Sequence, residues 1–104
     1  MAHAVIWSDD AEADLEGIIQ YIVAQGSVPS AAEVVNAIVT AVNRLSDFPY
    51  SGRAAPTLKS PALREIFVLN YRIVYKVGDH RVDVRMIIHT RRKFPPRKEM
   101  HRLR

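Results

Sequence analysis

The sequence predicts an α+β fold of order β-α-α-β-β-β, in which a helical hairpin packs on one face of a mostly antiparallel sheet. Apolar residues recur at helical spacing through residues 9–45, and from residue 63 onward they alternate with polar residues as in strands. A stretch rich in Pro, Gly and Ser separates these two regions. At 104 residues the chain is short, so we expect one domain over residues 1–104, with a basic C-terminal tail at 93–104.

A short strand and a helix open the predicted fold. Val5-Ile6-Trp7 is an apolar run that predicts the strand, and Ser8 follows it as a helix N-cap. Acidic residues in the next turn suit the positive end of the helix dipole. The helix is predicted over residues 9–24, because one apolar stripe runs along it: Ala11, Leu15, Ile18, Ile19 and Ile22.

A second helix completes the hairpin. Gln25-Gly26-Ser27-Val28-Pro29 breaks the first helix, and Ser30 with Glu33 has the spacing of a capping box. The apolar stripe of the second helix consists of Val34, Val35, Ile38, Val42 and Leu45. Residues 47–61, with Pro56 and Pro61, predict a loop, in which we expect Gly52 to adopt a left-handed backbone.

Three strands are predicted in the second half of the chain, over residues 63–69, 72–77 and 81–89. A tight turn at Gly78-Asp79-His80 should join the last two as an antiparallel hairpin. In the last strand, period-two alternation predicts that one face is core and the other is in contact with water. The predicted core face holds Val82, Val84, Met86 and Ile88, and the other face holds Arg81, Asp83, Arg85, Ile87 and His89.

Charge is divided between the halves of the chain, whose net charge is +4. Residues 1–52 contain one base and seven acids, a charge of −6, whereas residues 53–104 contain fourteen bases and four acids, a charge of +10. The last fourteen residues alone hold seven bases and one acid. This density favours binding to a polyanion or to an acidic protein surface, with a solvated tail as the alternative.

Composition excludes several classes of site and segment. Without Cys there is neither a disulfide framework nor a thiolate metal site. The sequence has no paired His spacing and no phosphate-binding Gly-rich motif, so we expect no metal and no cofactor. The apolar run at the N terminus is short and meets Asp9 and Asp10 at once, so we expect no signal peptide, no membrane association and a cytoplasmic location.

Short motifs along nearly the whole chain resemble a known family. In the first half they are Trp7-Ser8, Asp14-Leu15, Tyr21-Ile22 and Phe48-Pro49-Tyr50-Ser51-Gly52-Arg53. In the second half they are Leu63-Arg64-Glu65, Asn70-Tyr71-Arg72-Ile73-Val74-Tyr75-Lys76-Val77 and Ile87-Ile88-His89-Thr90-Arg91-Arg92. In this order they resemble the RelE/ParE toxin superfamily, and the later motifs are similar to the strands of its ParE-like branch.

The resemblance implies the toxin of a type II toxin-antitoxin system, a class associated with growth arrest and plasmid stabilization. Such a toxin forms a hetero-oligomer with a cognate antitoxin that neutralises it. ParE-like members act on DNA gyrase without chemistry of their own, whereas RelE-like members cut mRNA on the ribosome. A third, separate alternative is a nucleic-acid-binding module whose basic tail contacts phosphates.

The candidate residues for a ribonuclease are Arg72, His89 and Arg92, with Arg91 as an alternative to Arg92. The resemblance assigns the arginines to phosphate binding, and His89 could serve as a base. RelE-like enzymes also carry lysines on the strand before Arg72 and a Tyr or His near the chain end. Here that strand reads Arg64-Glu65-Ile66-Phe67-Val68, and only His101 lies near the end. The gyrase-directed, noncatalytic function is therefore favoured, with the endoribonuclease as the alternative.

Two sets of binding residues follow from this interpretation. We expect the target to contact the cations Arg53, Arg64, Arg72, Arg91 and Arg92. We expect the antitoxin to contact apolar residues of the helical hairpin: Leu15, Ile19, Ile22 and Val35. Structural alternatives remain for two of the candidates, with Arg72 as an ion-paired strand residue and His89 as a hydrogen-bonded surface residue.

Overall fold

A computed structural model describes residues 2–55, 58 and 60–103, except for the side chains of Arg97 and Lys98. The predicted position of Pro56 in the loop falls outside these residues. The elements are β1 (Ala4–Trp7), α1 (Asp9–Ala24), α2 (Val28–Asn43), a 3₁₀ turn (Arg44–Ser46), β2 (Arg53–Ala54), β3 (Leu63–Val68), β4 (Tyr71–Gly78), β5 (Arg81–His89) and a C-terminal 3₁₀ helix (Arg97–Leu103).

The predicted α+β fold is confirmed, with one additional strand. A five-stranded sheet has the order β1-β5-β4-β3-β2, in which β1 runs parallel to β5 and the other neighbours are antiparallel. The short edge strand β2 is the addition, and it pairs Arg53 with Glu65 and Ala54 with Arg64. Two residues carry too little period-two pattern to predict a strand.

Both helices begin with a serine cap, but the second one begins earlier than predicted. Ser8 Oγ accepts a hydrogen bond from the N–H of Ala11 (3.0 Å), as expected for the cap of α1. In α2 the cap is Ser27, which accepts from the N–H of Ser30 (3.2 Å), so the predicted cap at Ser30 is wrong. Pro29 explains the earlier start, because its fixed φ and missing donor suit the first turn of a helix.

The main core lies between the helical hairpin and the inner face of the sheet. Its fully buried members are Ala11, Ile38, Val42, Ile73, Val84 and Ile87. Trp7, Leu15 and Tyr71 pack against this cluster and are partly buried. The N-terminal helices thus supply one side of the core and the C-terminal strands the other, which ties both halves of the chain into one unit.

A β-bulge in β5 changes which side chains face the helices. Tyr75 pairs with Val84, whereas its neighbour Val74 pairs with Met86, so Arg85 is an extra residue. Alternation shifts by one residue at this point. Val82 and Val84 face the helices as predicted, but Met86 and Ile88 lie on the outer face, and Ile87 joins the core. The predicted uniform alternation along β5 is therefore wrong after Val84.

The outer face of the sheet is partly covered by the C-terminal segment of the chain itself. Leu103 is buried there against Met86 and Ile88, and Phe94 packs on the same cluster. The expectation of one core face and one solvent-exposed face is thus too simple. The bulge places apolar residues on the outer face, and a chain of this size buries them most readily under its own C terminus.

Arg102 joins the C-terminal segment to α1 through a salt bridge with Asp14. Its Nη2 donates to Asp14 Oδ2, and its Nη1 donates to Glu99 Oε1 at 3.0 Å. Burial lowers the pKa of Arg102, but hydrogen bonding and charge from Asp14, with Asp10 and Glu99, outweigh it and leave that pKa raised. Asp14 Oδ2 also accepts from the N–H of Ile87 (3.0 Å), just past the bulge. None of the described helices is long and apolar enough to cross a membrane.

Candidate functional site

The five predicted target-binding cations lie in three separate places. Arg53 and Arg72 lie on the outer face of the sheet, where they share Glu65 as an ionic partner. Arg64 lies beside the loop that follows α2. Arg91 and Arg92 follow β5 and line a groove beside α1. The structure therefore does not gather these residues into a single patch.

The first place is an outer-face cluster built around a buried carboxylate. Glu65 is only 1% exposed. Its Oε1 accepts from Arg53 Nε at 2.9 Å, and its Oε2 lies 3.5 Å from Arg72 Nε. Antiparallel pairing of β2, β3 and β4 creates this cluster, since it sets Arg53 opposite Glu65 and Phe67 opposite Arg72. A buried charge of this kind is tolerated when it is paired, and Glu65 is paired on both sides.

The two guanidinium groups of this cluster lie beside aromatic rings. Arg53 and Arg72 each lie 5.2 Å from the centre of the Phe67 ring, and Arg72 also lies 4.1 Å from that of Phe94. The Arg72 side chain is 20% exposed, whereas that of Arg53 is 61% exposed. The structural alternative considered for Arg72, an ion-paired strand residue, thus describes its environment. Arg53 and the half-exposed Phe67 are the accessible parts of the cluster.

The second place is a loop anchored by a buried tyrosine. Tyr75 is fully buried; its hydroxyl donates to Pro49 O and accepts from the N–H of Gly52, both at 2.9 Å. Burial raises the pKa of Tyr75 above its usual value. Arg64 Nη1 donates to Gly52 O at 2.7 Å, and its guanidinium lies 5.0 Å from the centre of the exposed Tyr50 ring. Arg64 of β3 and Tyr50 of the loop therefore lie side by side.

Gly52 occupies this loop for a reason other than the one predicted. Of the glycines, Gly26 has a positive φ (92°), and Gly52 does not. An added Cβ at Gly52 would lie 2.5 Å from the hydroxyl oxygen of Tyr75 and 2.6 Å from Glu65 O. The residue is glycine because the neighbouring groups leave no space for a side chain, and the prediction of a left-handed backbone is wrong.

The three ribonuclease candidates do not all meet, because His89 and Arg92 line one groove whereas Arg72 lies apart from them. His89 lies on the helix side of the sheet, where its ring meets that of Tyr71 edge-on at a centroid distance of 5.3 Å. Arg72 is the next residue along β4 and lies on the outer face, against Phe94. Arg92 is 63% exposed, with Nη2 3.8 Å from Glu99 Oε2. The sheet therefore separates His89 from Arg72, which is the most buried of the candidate cations.

Hydrogen bonding also limits what His89 can do. Its Nδ1 accepts from the backbone N–H of Arg91 at 3.0 Å. In the neutral ring this leaves the proton on Nε2, so neither nitrogen offers a free lone pair. The predicted alternative for His89, a hydrogen-bonded residue at a strand end, matches this geometry.

The third place is a groove of about 620 Å³ between α1 and the ends of β4 and β5, which we call the α1–β5 groove. Ala13 and Gly17 of α1 form its floor, and Tyr21 and Tyr71 are its aromatic walls. It also contacts Asp14, Ile18, Ile87, Ile88, His89, Arg91 and Arg92. It is larger than two other hollows of the surface, of about 280 and 310 Å³, and it combines apolar, aromatic and cationic groups.

Two of the four predicted antitoxin-binding residues line a different hollow, on the helical hairpin. Leu15 and Ile19 line a smaller hollow of about 310 Å³ on the helical hairpin, which we call the hairpin groove. Ile22 and Val35 are partly buried on the same two helices. Glu12 and Glu16 also line the hairpin groove, so its rim is acidic. An acidic segment of a partner would be repelled there.

Several residues of these sites were not predicted from the sequence. Phe67, Phe94 and Gly17 carry no chemistry of their own, and only their tertiary neighbours make them notable. The sequence weakly indicates that Glu65 is paired, because an acidic residue in an apolar, alternating strand needs a partner. Among the described residues, no group of three His, Cys, Asp or Glu side chains is placed to hold a metal ion.

Comparison with known proteins gives a family match and a structural match. A family model described as "ParE toxin of type II toxin-antitoxin system, parDE" matches residues 5–94. Among solved structures, a chain of the "Chromosomal ParDE TA system from P. aeruginosa" is similar, with 21% identity and a TM-score of 0.72. The match covers 85% of this chain and 96% of that one, and at this identity it shows a shared fold alone. No curated protein sequence matches this chain significantly.

Proposed function

This chain belongs to the ParE toxin family of type II toxin-antitoxin systems, and we propose that it inhibits DNA gyrase through protein contacts until a cognate antitoxin neutralises it. No chemistry of its own is part of this proposal. The observation that carries it is the separation of Arg72 from His89 by the sheet. The cytoplasm, where gyrase acts, is the expected location.

Cleavage of RNA requires a base, a cation beside the phosphate and an acid for the leaving oxygen, all within hydrogen-bonding reach of one nucleotide. Arg91 and Arg92 line the same groove as His89, but Arg72 lies on the opposite face of the sheet, and Nδ1 of His89 is already hydrogen-bonded. Both observations count against the RelE-type endoribonuclease and support inhibition by binding.

The outer-face cluster has the composition of a protein contact. Arg and aromatic residues are enriched where protein interfaces gain most of their affinity. Arg53 uses its Nε for Glu65, and among the described residues its two Nη groups have no hydrogen-bond partner. This guanidinium lies 5.2 Å from the centre of the Phe67 ring. We propose that Arg53 and Phe67 contact an acidic surface of gyrase.

A supercoiling assay with purified gyrase tests the proposed target. We expect the unaltered chain to inhibit supercoiling and Arg53→Gln to need roughly tenfold more protein for the same effect, as for one lost interfacial ion pair. Arg81→Gln is the matched control, because Arg81 is similarly exposed (52%, against 61% for Arg53) and also has an acidic partner. Arg81 lies at the far end of β5, so this variant should inhibit normally.

Two outcomes contradict the proposal. If the unaltered chain leaves supercoiling intact at micromolar concentration, gyrase is not its target. If it shortens transcripts in a translating extract, the endoribonuclease alternative is correct. Neutralisation is tested separately, by expressing the chain in bacteria with and without a cognate antitoxin. Growth should stop only when the chain is expressed alone.

A further inference from the structure

We propose that residues 93–103 form a strap that covers part of the target-binding surface and must open before the chain binds its target. This inference rests on the proposed function and adds a conformational control of the same outer face. Three observations on the described residues support it. The strap covers a predicted target-binding cation, side chains alone anchor it, and its closure leaves a buried charged group without a hydrogen bond.

The strap lies over the apolar part of the outer face and beside Arg72. Leu103 is 6% exposed and packs against apolar strand residues of that face. These residues, which we call the outer apolar cluster, are Leu63, Val74, Met86 and Ile88. Phe94 of the strap packs on the same cluster, and the centre of its ring lies 4.1 Å from the Arg72 guanidinium. The strap therefore covers both apolar and cationic surface.

Opening of the strap would join this covered surface to the contact proposed for the target. Arg53 and Arg72 share Glu65 as an ionic partner, and both lie 5.2 Å from the centre of the Phe67 ring. With the strap closed, Arg53 and Phe67 are accessible, whereas the Arg72 side chain is 20% exposed. With the strap open, the same face offers a second arginine and the outer apolar cluster. Arginine beside apolar surface is typical of the centre of a protein interface.

Side chains alone anchor the strap to the rest of the fold. Among the described residues, no backbone hydrogen bond joins residues 93–103 to the sheet or to the helices. The main anchors are Leu103, in the outer apolar cluster, and Arg102, which donates to Asp14 Oδ2 and to Arg85 O. The strap can therefore leave without breaking any strand pairing or helix. Segments of this kind open locally, at a lower free energy than global unfolding.

Closure of the strap is unfavourable for Arg72 itself. The Nε of Arg72 is buried and, within the described part of the chain, makes no hydrogen bond. Glu65 Oε2 lies 3.5 Å from it, close enough for an ion pair but without hydrogen-bond geometry. A buried charged donor without an acceptor is costly, and water can reach this donor once Phe94 moves away. This gain lowers the free energy that opening requires.

The reaction of a buried cysteine with a thiol reagent measures opening of the strap. Because the chain has no Cys, Met86→Cys places a single thiol beneath the strap, at a position that is 1% exposed. Ile73→Cys is the matched control, because Ile73 is 0% exposed on the neighbouring strand but lies under the helices. We expect Met86→Cys to react at least roughly 100-fold faster, with little dependence on urea, since local opening exposes little surface. Equal rates that rise together with urea would overturn the inference.

Removal of the Arg102 anchor should increase opening. In the Met86→Cys background, Arg102→Gln should speed the thiol reaction by at least about tenfold, because the ion pair with Asp14 is lost. Arg91→Gln is the matched control, at an exposed arginine just before the strap, and should change the rate by less than about twofold. An unchanged rate in Arg102→Gln would contradict the anchoring. These rates are measured on the chain by itself and do not depend on the identity of the target.

A disulfide tests whether opening controls inhibition. Met86→Cys with Leu103→Cys places two thiols in contacting parts of the strap and the outer apolar cluster, so oxidation should join the strap to β5. The same protein after reduction is the control for the substitutions themselves, and a count of free thiols identifies each form. We expect the oxidised form to need at least roughly tenfold more protein than the reduced form to inhibit supercoiling, because the open state is excluded.

The outcomes separate this inference from the proposed function. Equal inhibition by the oxidised and reduced forms overturns the inference and leaves gyrase as the target. Stronger inhibition by the oxidised form also overturns it, because the closed strap would then be part of the contact. If neither these forms nor the unaltered chain inhibits gyrase, the proposed function fails, and control of gyrase binding by the strap fails with it. The thiol rates still decide whether the strap opens.

Discussion

Replacing Gly52 by alanine tests how tightly the loop after α2 is packed against the sheet. The new methyl group would lie 2.5 Å from the Tyr75 hydroxyl oxygen and 2.6 Å from Glu65 O, distances that real Cβ atoms do not adopt. The tyrosine cannot move away freely, because it is fully buried and its hydroxyl makes two hydrogen bonds of 2.9 Å. Either the loop shifts or these hydrogen bonds break.

The expected cost combines two effects. Overpacking a well-filled site costs about 1–3 kcal/mol. Losing the hydrogen bond between Tyr75 and Gly52 leaves buried polar groups without partners, which costs roughly 1–3 kcal/mol more. We therefore expect Gly52→Ala to lower the free energy of unfolding by about 2–6 kcal/mol, or the melting temperature by at least roughly 8 °C for a domain of this size. Gly17→Ala is the matched control and should raise stability by up to about 1 kcal/mol.

Urea unfolding, followed by the fluorescence of Trp7, the only tryptophan, measures the free energy of unfolding of both variants. A double-mutant cycle with Tyr75→Phe isolates the close contact. Removing the hydroxyl removes the shortest contact of the new Cβ, so Gly52→Ala should cost about 1–2 kcal/mol less in the Tyr75→Phe background. Equal effects of Gly52→Ala and Gly17→Ala, or strictly additive costs in the double variant, would refute this account of the loop.

Three further predictions concern stability. Folding raises the pKa of Tyr75, so Tyr75 stabilises the folded chain fully at pH values below the unfolded pKa of about 10. This contribution to the free energy of unfolding is lost as the pH rises above the unfolded pKa. Alkaline unfolding curves should therefore show a smaller loss of stability for Tyr75→Phe than for the unaltered chain. Arg102→Ala should lower the free energy of unfolding by roughly 2–4 kcal/mol, because it removes a 7%-exposed guanidinium and leaves the Asp14 carboxylate without its counter-charge. Arg91→Ala should change the free energy of unfolding by less than about 0.5 kcal/mol. Equal effects of the two variants in urea titrations would contradict this. Glu65→Gln should destabilise the chain by about 1–3 kcal/mol, since two arginines lose their shared counter-charge, and a melting temperature unchanged in calorimetry would contradict this.

The helical hairpin was the most predictable part of the fold. The bounds of α1 agree with the predicted residues 9–24, because its cap at Ser8 and its apolar stripe are local signals. The start of α2 was predicted three residues late, because Ser27 and Ser30 are both good caps and the choice depended on Pro29. The β5 bulge at Arg85 left no sequence signal, since an extra residue in a strand changes only the partner on the neighbouring strand.

The candidate site was predictable in its residue types but not in its arrangement. Charge counting found the basic half of the chain, and the motifs singled out Arg53, Arg72 and Arg92. The division of these cations between two faces of the sheet follows from strand register, which connects residues distant in sequence. The α1–β5 groove likewise arises because α1 lies against a strand more than 60 residues later in the chain.

The sequence indicated the two helices, the order of the longer strands, the class of fold, the charge division and the resemblance to a toxin family, because caps, periodicity and motifs act over a few neighbouring residues. The tertiary structure alone decided which face each side chain occupies and which ones meet. Burial of Glu65 between two arginines, exclusion of a side chain at Gly52 and the open floor at Gly17 are properties of contacts between distant segments. Such contacts exist only after the chain has folded.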